Sequence, residues 1–299
     1  MNIYRGLILA FVSITIVGYA KDSSGGTFKD VLGKEVTLQG APTRIISLAP
    51  SLTEILYSLG LGGKVIGVTT FSHYPPEARK KPKVGSYINL NVEKIISLSP
   101  DLVVGTVDGN EPGVVEILEQ AGIRVYIVNP RNVEELLETI VRVGEVCGVP
   151  ERAGRLVAGL KRRVSGIEET TRSLRKPLVF LQINIKPIMT VNRHTFHHDL
   201  IRLAGGVNMA AEGKVTYPRI SIEEVIRRRP EVILISSMER SGQFEKARQE
   251  WLKWTTIPAV RDGRVYLIDS DLIDRPSPRF IEGLELMAEL IHPEVNWEE

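Results

Sequence analysis

PERAGRLVAGLKRRVSGIEETTRSLRK, residues 150 to 176, opens on Pro150, holds no further proline, and sets apolar residues at helical spacing among charged ones. The pattern predicts one helix. At about 1.5 Å rise per residue, such a helix is nearly 40 Å long. A Gly/Ser segment here would let its flanks move freely, whereas a helix is a stiff spacer. Gly154, Gly159 and Gly166 weaken it, each by about 1 kcal/mol relative to alanine.

On both sides of this stretch, short β-rich runs alternate with helical patterns. RIISLA, KVIGVT, DLVVGT and RVYIVN precede it as expected strands, and PLVFLQIN, EVILIS and RVYLID follow it. This is the α/β pattern of mostly parallel sheets flanked by helices. PSLTEILYSLG reads as one intervening helix, with Ser51 and Glu54 as a capping box and Gly60 as its stop. The expected organisation is an N-terminal lobe over 43–149, a bridging helix over 150–176 and a C-terminal lobe over 177–299.

The two lobes repeat a sentence. NVEKIISLSPDLVVGT, residues 91 to 106, returns 130 positions later as SIEEVIRRRPEVILIS, residues 221 to 236, with Glu, Pro and apolar positions in register. Each copy predicts a short helix stopped at Pro100 or Pro230 and then a buried strand. Upstream, Tyr87 stands six residues before Glu93, and Tyr217 six before Glu223. Related lobes on a stiff spacer face each other across a cleft, where small ligands bind. The tyrosines are candidate walls of that cleft. Glu93 and Glu223 open their helices, where a carboxylate suits the helix dipole; as a pair they also present acidic knobs suited to a basic partner surface.

Composition is that of a globular chain of two domains: 299 residues, 43% hydrophobic, 25% charged, net charge +2. The basic triplets at 161–163 and 227–229 lie inside helical patterns and read as solvated faces. No zinc-ligand spacing, basic region leading into heptads or aromatic-basic RNA-binding strand occurs, which argues against nucleic acid as partner. Residues 1–20 have the order of a secretory signal peptide: Arg5, an apolar run of about a dozen residues, then Gly18-Tyr19-Ala20. Cleavage after Ala20 is expected, with an uncleaved N-terminal anchor as the alternative, and no cysteine near that point suits a lipid anchor. The lone cysteine, Cys147, cannot form an intrachain disulfide and lies on an expected helical apolar face as a buried thiol.

Enzyme motifs are absent: there is no GxSxG elbow, phosphate loop or GxGxxG after a strand. LGLGGKVIG follows a helix pattern and leads into a strand, the reverse of what phosphate binding requires. Asp108 and Glu111 in DGNEPG read as a turn rather than as paired carboxylates. Of the five histidines, His194 and His198 could share a helix face, but the following IRLAGG reads as an ordinary amphipathic helix; no metal site is expected.

In order and spacing, RIISLAPSLTE, VIGVTTFSHYPPEA, VGSYINLNVEKIISLSPDLVV, VTYPRISIEEVI and SDLIDRPSPR resemble the substrate-binding proteins of ATP-driven importers for corrinoids and iron chelates. These are the proteins whose lobes are joined by one long helix. The resemblance covers nearly all of residues 43 to 291 and is strongest to the cobalamin-binding members. It implies Phe71 and Tyr87 as aromatic ligand contacts from the first lobe and Tyr217 from the second. It also implies Asp271 and Arg275 as a polar pair in the cleft, a local ion pair being the alternative for them, with Ser51 and Leu52 at the opposite helix mouth. Glu93 and Glu223 would dock onto arginines of a dimeric permease served by ATPase subunits. The implied protein has no cofactor, is monomeric when free, works in the periplasm or otherwise outside the cytoplasm, and moves its lobes little on binding. Departures bear on the ligand: Thr106, Ile183 and Leu272 stand where aromatics are expected, and Tyr87 and Tyr217 stand for tryptophans. A ferric siderophore or haem, the latter with His73 as a possible iron ligand, is the alternative to a corrinoid; a bare metal ion is a more distant one.

Overall fold

The computed structural model describes residues 24–236 and 243–297. The leader expected over 1–20 lies outside them. Ten strands and eleven α-helices are present among the described residues. An antiparallel hairpin, β1 (Ser24–Lys29) and β2 (Glu35–Gly40), comes first. The N-terminal half then runs β3 (Ile45–Ser47), α1 (Pro50–Ser58), β4 (Val65–Val68), α2 (Val92–Ser97), β5 (Leu102–Thr106), α3 (Pro112–Gln120), β6 (Val125–Val128) and α4 (Val133–Val146). After α5 (Pro150–Thr171) come β7 (Leu178–Gln182), α6 (Phe196–Leu203), β8 (Val207–Asn208), α7 (Ile222–Arg228), β9 (Val232–Ile235) and α8 (Gln243–Leu252). The chain ends through α9 (Pro258–Arg261), β10 (Val265–Leu267), α10 (Ser270–Ile273) and α11 (Phe280–Ile291).

All seven sequence-predicted strands form, in two four-stranded parallel sheets. One is ordered β4-β3-β5-β6 and the other, read from its far edge, β8-β7-β9-β10. Numbered within its own half, each sheet has the order 2-1-3-4. The sequence echo falls on the helix and strand that supply the third position of each, α2-β5 and α7-β9. Its details repeat as well. Asn91 and Ser221 are the N-caps, accepting from the backbone N–H of Lys94 at 2.8 Å and of Glu224 at 3.3 Å. Ser99 and Arg229, each just before the shared proline, hold positive φ of 46° and 56° and are the non-glycine residues to do so among the described ones. A left-handed residue is strained in an L-amino acid, so its recurrence at equivalent positions marks the two units as copies of one backbone design.

Helix α5 is 22 residues long, about 33 Å, shorter than the expected 150–176 because the chain turns at Thr171–Leu174. Its buried positions are Ala153, Val157, Leu160, Val164, Ile167 and Thr171, steps of four and three that form one stripe along the helix. That stripe packs on α4 from one half and on α6 and α11 from the other. One apolar core therefore runs from Val36 in the hairpin through α5 to Ile291. The three interior glycines have open space beside them, so they lie off the packed stripe. Cys147 is fully buried, and burial pushes its thiol up to about 12.

Two expectations need correction. The hairpin precedes the expected lobe start at residue 43; its β2 alternates exposed and buried residues, and Val31 N–H donates to Ile127 O at 3.1 Å, fastening it to the end of β6. The capping box at Ser51 and Glu54 does not form. The N-cap of α1 is Ala49 without a side-chain cap, because Glu54 is turned toward other partners. No described helix is long and apolar enough to cross a membrane.

Candidate functional site

In parallel α/β sheets, ligands bind beyond the carboxyl ends of the strands. Here those ends lead into the segments that bear most of the expected contacts: the start of α1 after β3, the loop with Phe71 after β4, Thr106 to Asn110 after β5, and α10 after β10.

Tyr87 and Tyr217, one from each half, lie near enough for Tyr217 to act on the Tyr87 phenol. Burial pushes the Tyr87 phenol up to about 12, with Asp108 and Tyr217 adding to the rise and Arg131 opposing it. Tyr217 is raised for the same leading reason, and it too feels Asp108 and Arg131. Those two groups form a two-pronged ion pair, Arg131 to Asp108, with one N–H···O contact at 2.8 Å. The local chain is shaped to seat the Tyr87 ring. Gly109 has φ +101°, and a Cβ there would come within 2.0 Å of that ring, so no larger residue fits without displacing it. Asn110, 4% exposed, accepts from Thr106 N–H at 2.8 Å and donates to Leu48 O at 3.1 Å and Tyr87 O at 3.2 Å. It ties two strand ends to the tyrosine loop.

The expected polar pair has a third member. Arg275 meets Asp271 at 2.8 Å and, through its other terminal nitrogen, Glu54 at 3.2 Å. The second Glu54 oxygen accepts from Ser277 Oγ at 2.6 Å. Arg279 sits 4.0 Å over the Tyr74 ring, a cation–π contact between the halves. Burial raises the Glu54 carboxyl above its ordinary value, opposed by the Ser277 hydroxyl and by Arg275 and Arg279. Behind this segment, Asp274 accepts from Ser236 Oγ at 3.1 Å and pairs with His197 at 2.9 Å.

The other expected residues fall as follows. Phe71 is 52% exposed on its loop. Ser51 is half-buried and Leu52 is 2% exposed, at the start of a helix buried at five consecutive positions, Leu52 to Leu56. Glu93 and Glu223 are exposed in the first turns of α2 and α7, on equivalent elements. His73 is half-buried beside Phe71, its carbonyl accepting from Arg79 at 3.0 Å. Among the described residues, no group of three or more His, Cys, Asp or Glu is placed to hold a metal ion. Thr106 is buried, and Ile183 and Leu272 pack against the core, so the surrounding wall has fewer rings.

A cavity of about 980 Å³ opens between α4, α5 and α6. Val133, Lys161, Glu168 and His198 are among its lining residues, together with Arg131 and with Thr216, the chain neighbour of Tyr217. None of the seven expected ligand contacts lines it. Its wall includes another bond between the halves, Val133 N–H to Asp199 Oδ2 at 2.9 Å.

Gly109, Asn110 and Glu54 were not singled out as site residues from sequence. A signal existed for Glu54: α1 contains no lysine or arginine, so a glutamate inside it has no partner within its own helix.

Comparison with known proteins follows the same line. The family model for periplasmic binding proteins matches residues 45–272. The substrate-binding lipoprotein YvrC of Bacillus subtilis, named as part of an ABC transporter, is 34% identical, with 98% of this chain and 97% of the relative covered. The crystal structure of the periplasmic vitamin B12-binding protein BtuF of Vibrio cholerae superposes with a TM-score of 0.76 at 30% identity, covering 84% of this chain and 97% of that one. The periplasmic heme-binding protein RhuT from Roseiflexus sp. RS-1 gives a TM-score of 0.75 at 27% identity, covering 85% and 99%. The chain belongs to the periplasmic binding protein family and is a binding protein, not an enzyme.

Proposed function

We propose that this substrate-binding protein of an ABC transporter captures a corrinoid, cobalamin or a close relative, between its lobes and delivers it to a permease dimer driven by ATPase subunits. The observation that supports this reading is the pairing of Tyr87 and Tyr217. They occupy equivalent positions in two units of the same topology, and Tyr217 acts on the Tyr87 phenol across the two halves. A corrin is a broad, rigid, partly apolar disc, and aromatic rings offer large contact area with little side-chain entropy to lose. Phe71 adds an exposed ring to the same wall, while Ser51, Asp271 and Arg275 supply polar contacts for amide groups. The protein works outside the cytoplasm, in the periplasm or its equivalent, as a monomer when free, and Glu93 and Glu223 give the permease one acidic contact per lobe.

A second reading, a ferric siderophore or haem, is favoured by one observation: the two paired residues, Tyr87 and Tyr217, are phenols, a ligand type for ferric iron. The test is calorimetric titration of the protein from residue 21 onward with cyanocobalamin, haemin and a ferric siderophore. Saturable one-to-one binding of cyanocobalamin supports the corrinoid. Binding of haemin or the siderophore alone retires it and keeps the transport role.

A further inference from the structure

Glu54 has no task in the reading above. It lies inside α1 at 2% exposure, where an ionised carboxylate is costly unless paired and hydrogen-bonded. Neighbouring polar groups do not serve it: the Thr53 hydroxyl spends itself on Ser47 and Ser72, each at 2.9 Å. Both Glu54 oxygens instead take partners more than 220 residues away, Arg275 and Ser277. Arg279, two residues beyond Ser277, adds its stacking on Tyr74. The charged groups facing Glu54 are thus Arg275 and Arg279, with Asp271 on the far side of Arg275.

The Glu54–Arg275 pair spans both halves of the molecule. It joins the helix at the mouth of the first sheet to the segment that follows the last strand of the second. It holds the guanidinium of Arg275, whose side chain remains 16% exposed, between two carboxylates. We infer that Glu54 is a positioning residue of the cleft: by gripping Arg275 and Ser277 it sets the separation of the two halves and the direction in which Arg275 is offered to a ligand. The anchor stands on the geometry alone; the use of Arg275 by a ligand rests on the proposed function.

The test uses the ligand-free protein and spin labels on cysteines introduced at Glu116 and Thr255, both exposed and one in each half. Native Cys147 is fully buried and stays unlabelled. The parent protein is expected to give one narrow interlabel distance. Glu54→Ala should broaden and shift it, Glu54→Gln, which keeps an acceptor, should restore part of the narrow population, and Arg275→Met should add nothing further in the Glu54→Ala background. If Glu54→Ala does not fold, Ser277→Ala, which removes one hydroxyl, should move the distance in the same direction by less. A distance unchanged in Ser277→Ala and in every Glu54 variant that folds overturns the anchor. In parallel, cyanocobalamin and haemin are titrated into each variant. Glu54→Ala is expected to weaken whichever one binds by about tenfold, the loss of one well-placed polar group. If the parent binds neither, the ligand reading fails while the distances still judge the anchor; weakened binding with unchanged distances overturns the anchor.

Discussion

Replacing Arg275 with methionine keeps an apolar stem and removes the cation that faces Glu54. Breaking a buried ion pair from one side typically costs 3–5 kcal/mol, because a charge is left behind without compensation. Glu54 would still accept from Ser277 at 2.6 Å and still feel Arg279, which places the loss near the lower end, about 3 kcal/mol. At roughly 2 °C per kcal/mol for a chain of this size, Tm should fall by about 6 °C. The sign with pH follows from burial. The folded protein holds the Glu54 proton more tightly than the unfolded chain, so the contribution of Glu54 to stability is full below its unfolded value and is lost as pH rises through the raised one. Without Arg275, two of the influences that hold this value down disappear and it climbs further. The Tm deficit should therefore be largest at about pH 8 and shrink at about pH 5, and adding Glu54→Gln should recover much of it at the higher pH. Calorimetric melting of the parent, single and double variants at both pH values measures this. A methionine variant that melts with the parent at both refutes the pair.

Gly109→Ala should cost about 1–2 kcal/mol for its positive φ alone and push the Tyr87 ring aside; an ultraviolet pH titration should lose its most alkaline tyrosine, and ligand affinity should fall. Cys147, with its thiol raised to about 12 and fully buried, should resist a thiol-reactive dye in the native protein and react as guanidinium unfolds it; prompt native labelling would contradict the packing. Reversing both Glu93 and Glu223 to lysine should abolish transporter-dependent uptake while leaving affinity in solution intact. Lost affinity would mean that these residues belong to the cleft.

Local signals carried most of the fold. Pro150 followed by an uninterrupted helical stripe marked α5, and the repeated Glu-to-Pro unit marked α2-β5 and α7-β9, because capping, proline stops and apolar period act over a few residues. The hairpin went unseen although Val36 and Leu38 alternate with exposed neighbours, since a two-stranded unit needs a surface to lean on and that surface lies on β6. Within the candidate site, the relation of Tyr87 to Tyr217 was legible because position in the repeat specified it. The site was illegible where partners are distant: Glu54 resembled a capping residue because Ser51 precedes it by three, while its partners lie beyond β10.

The uninterrupted core along α5 has a practical consequence. Both sheets share it, so neither half can melt and leave the other's apolar face intact, and heat should remove the whole structure in one cooperative step despite its two-lobed outline. A ligand held in the cleft then stabilises every residue at once, by an amount that grows with the logarithm of its concentration over its dissociation constant. A single melting curve becomes a readout of cleft occupancy, and a panel of corrinoids, haems and siderophores can be ranked by the displacement of one transition without labelling any of them.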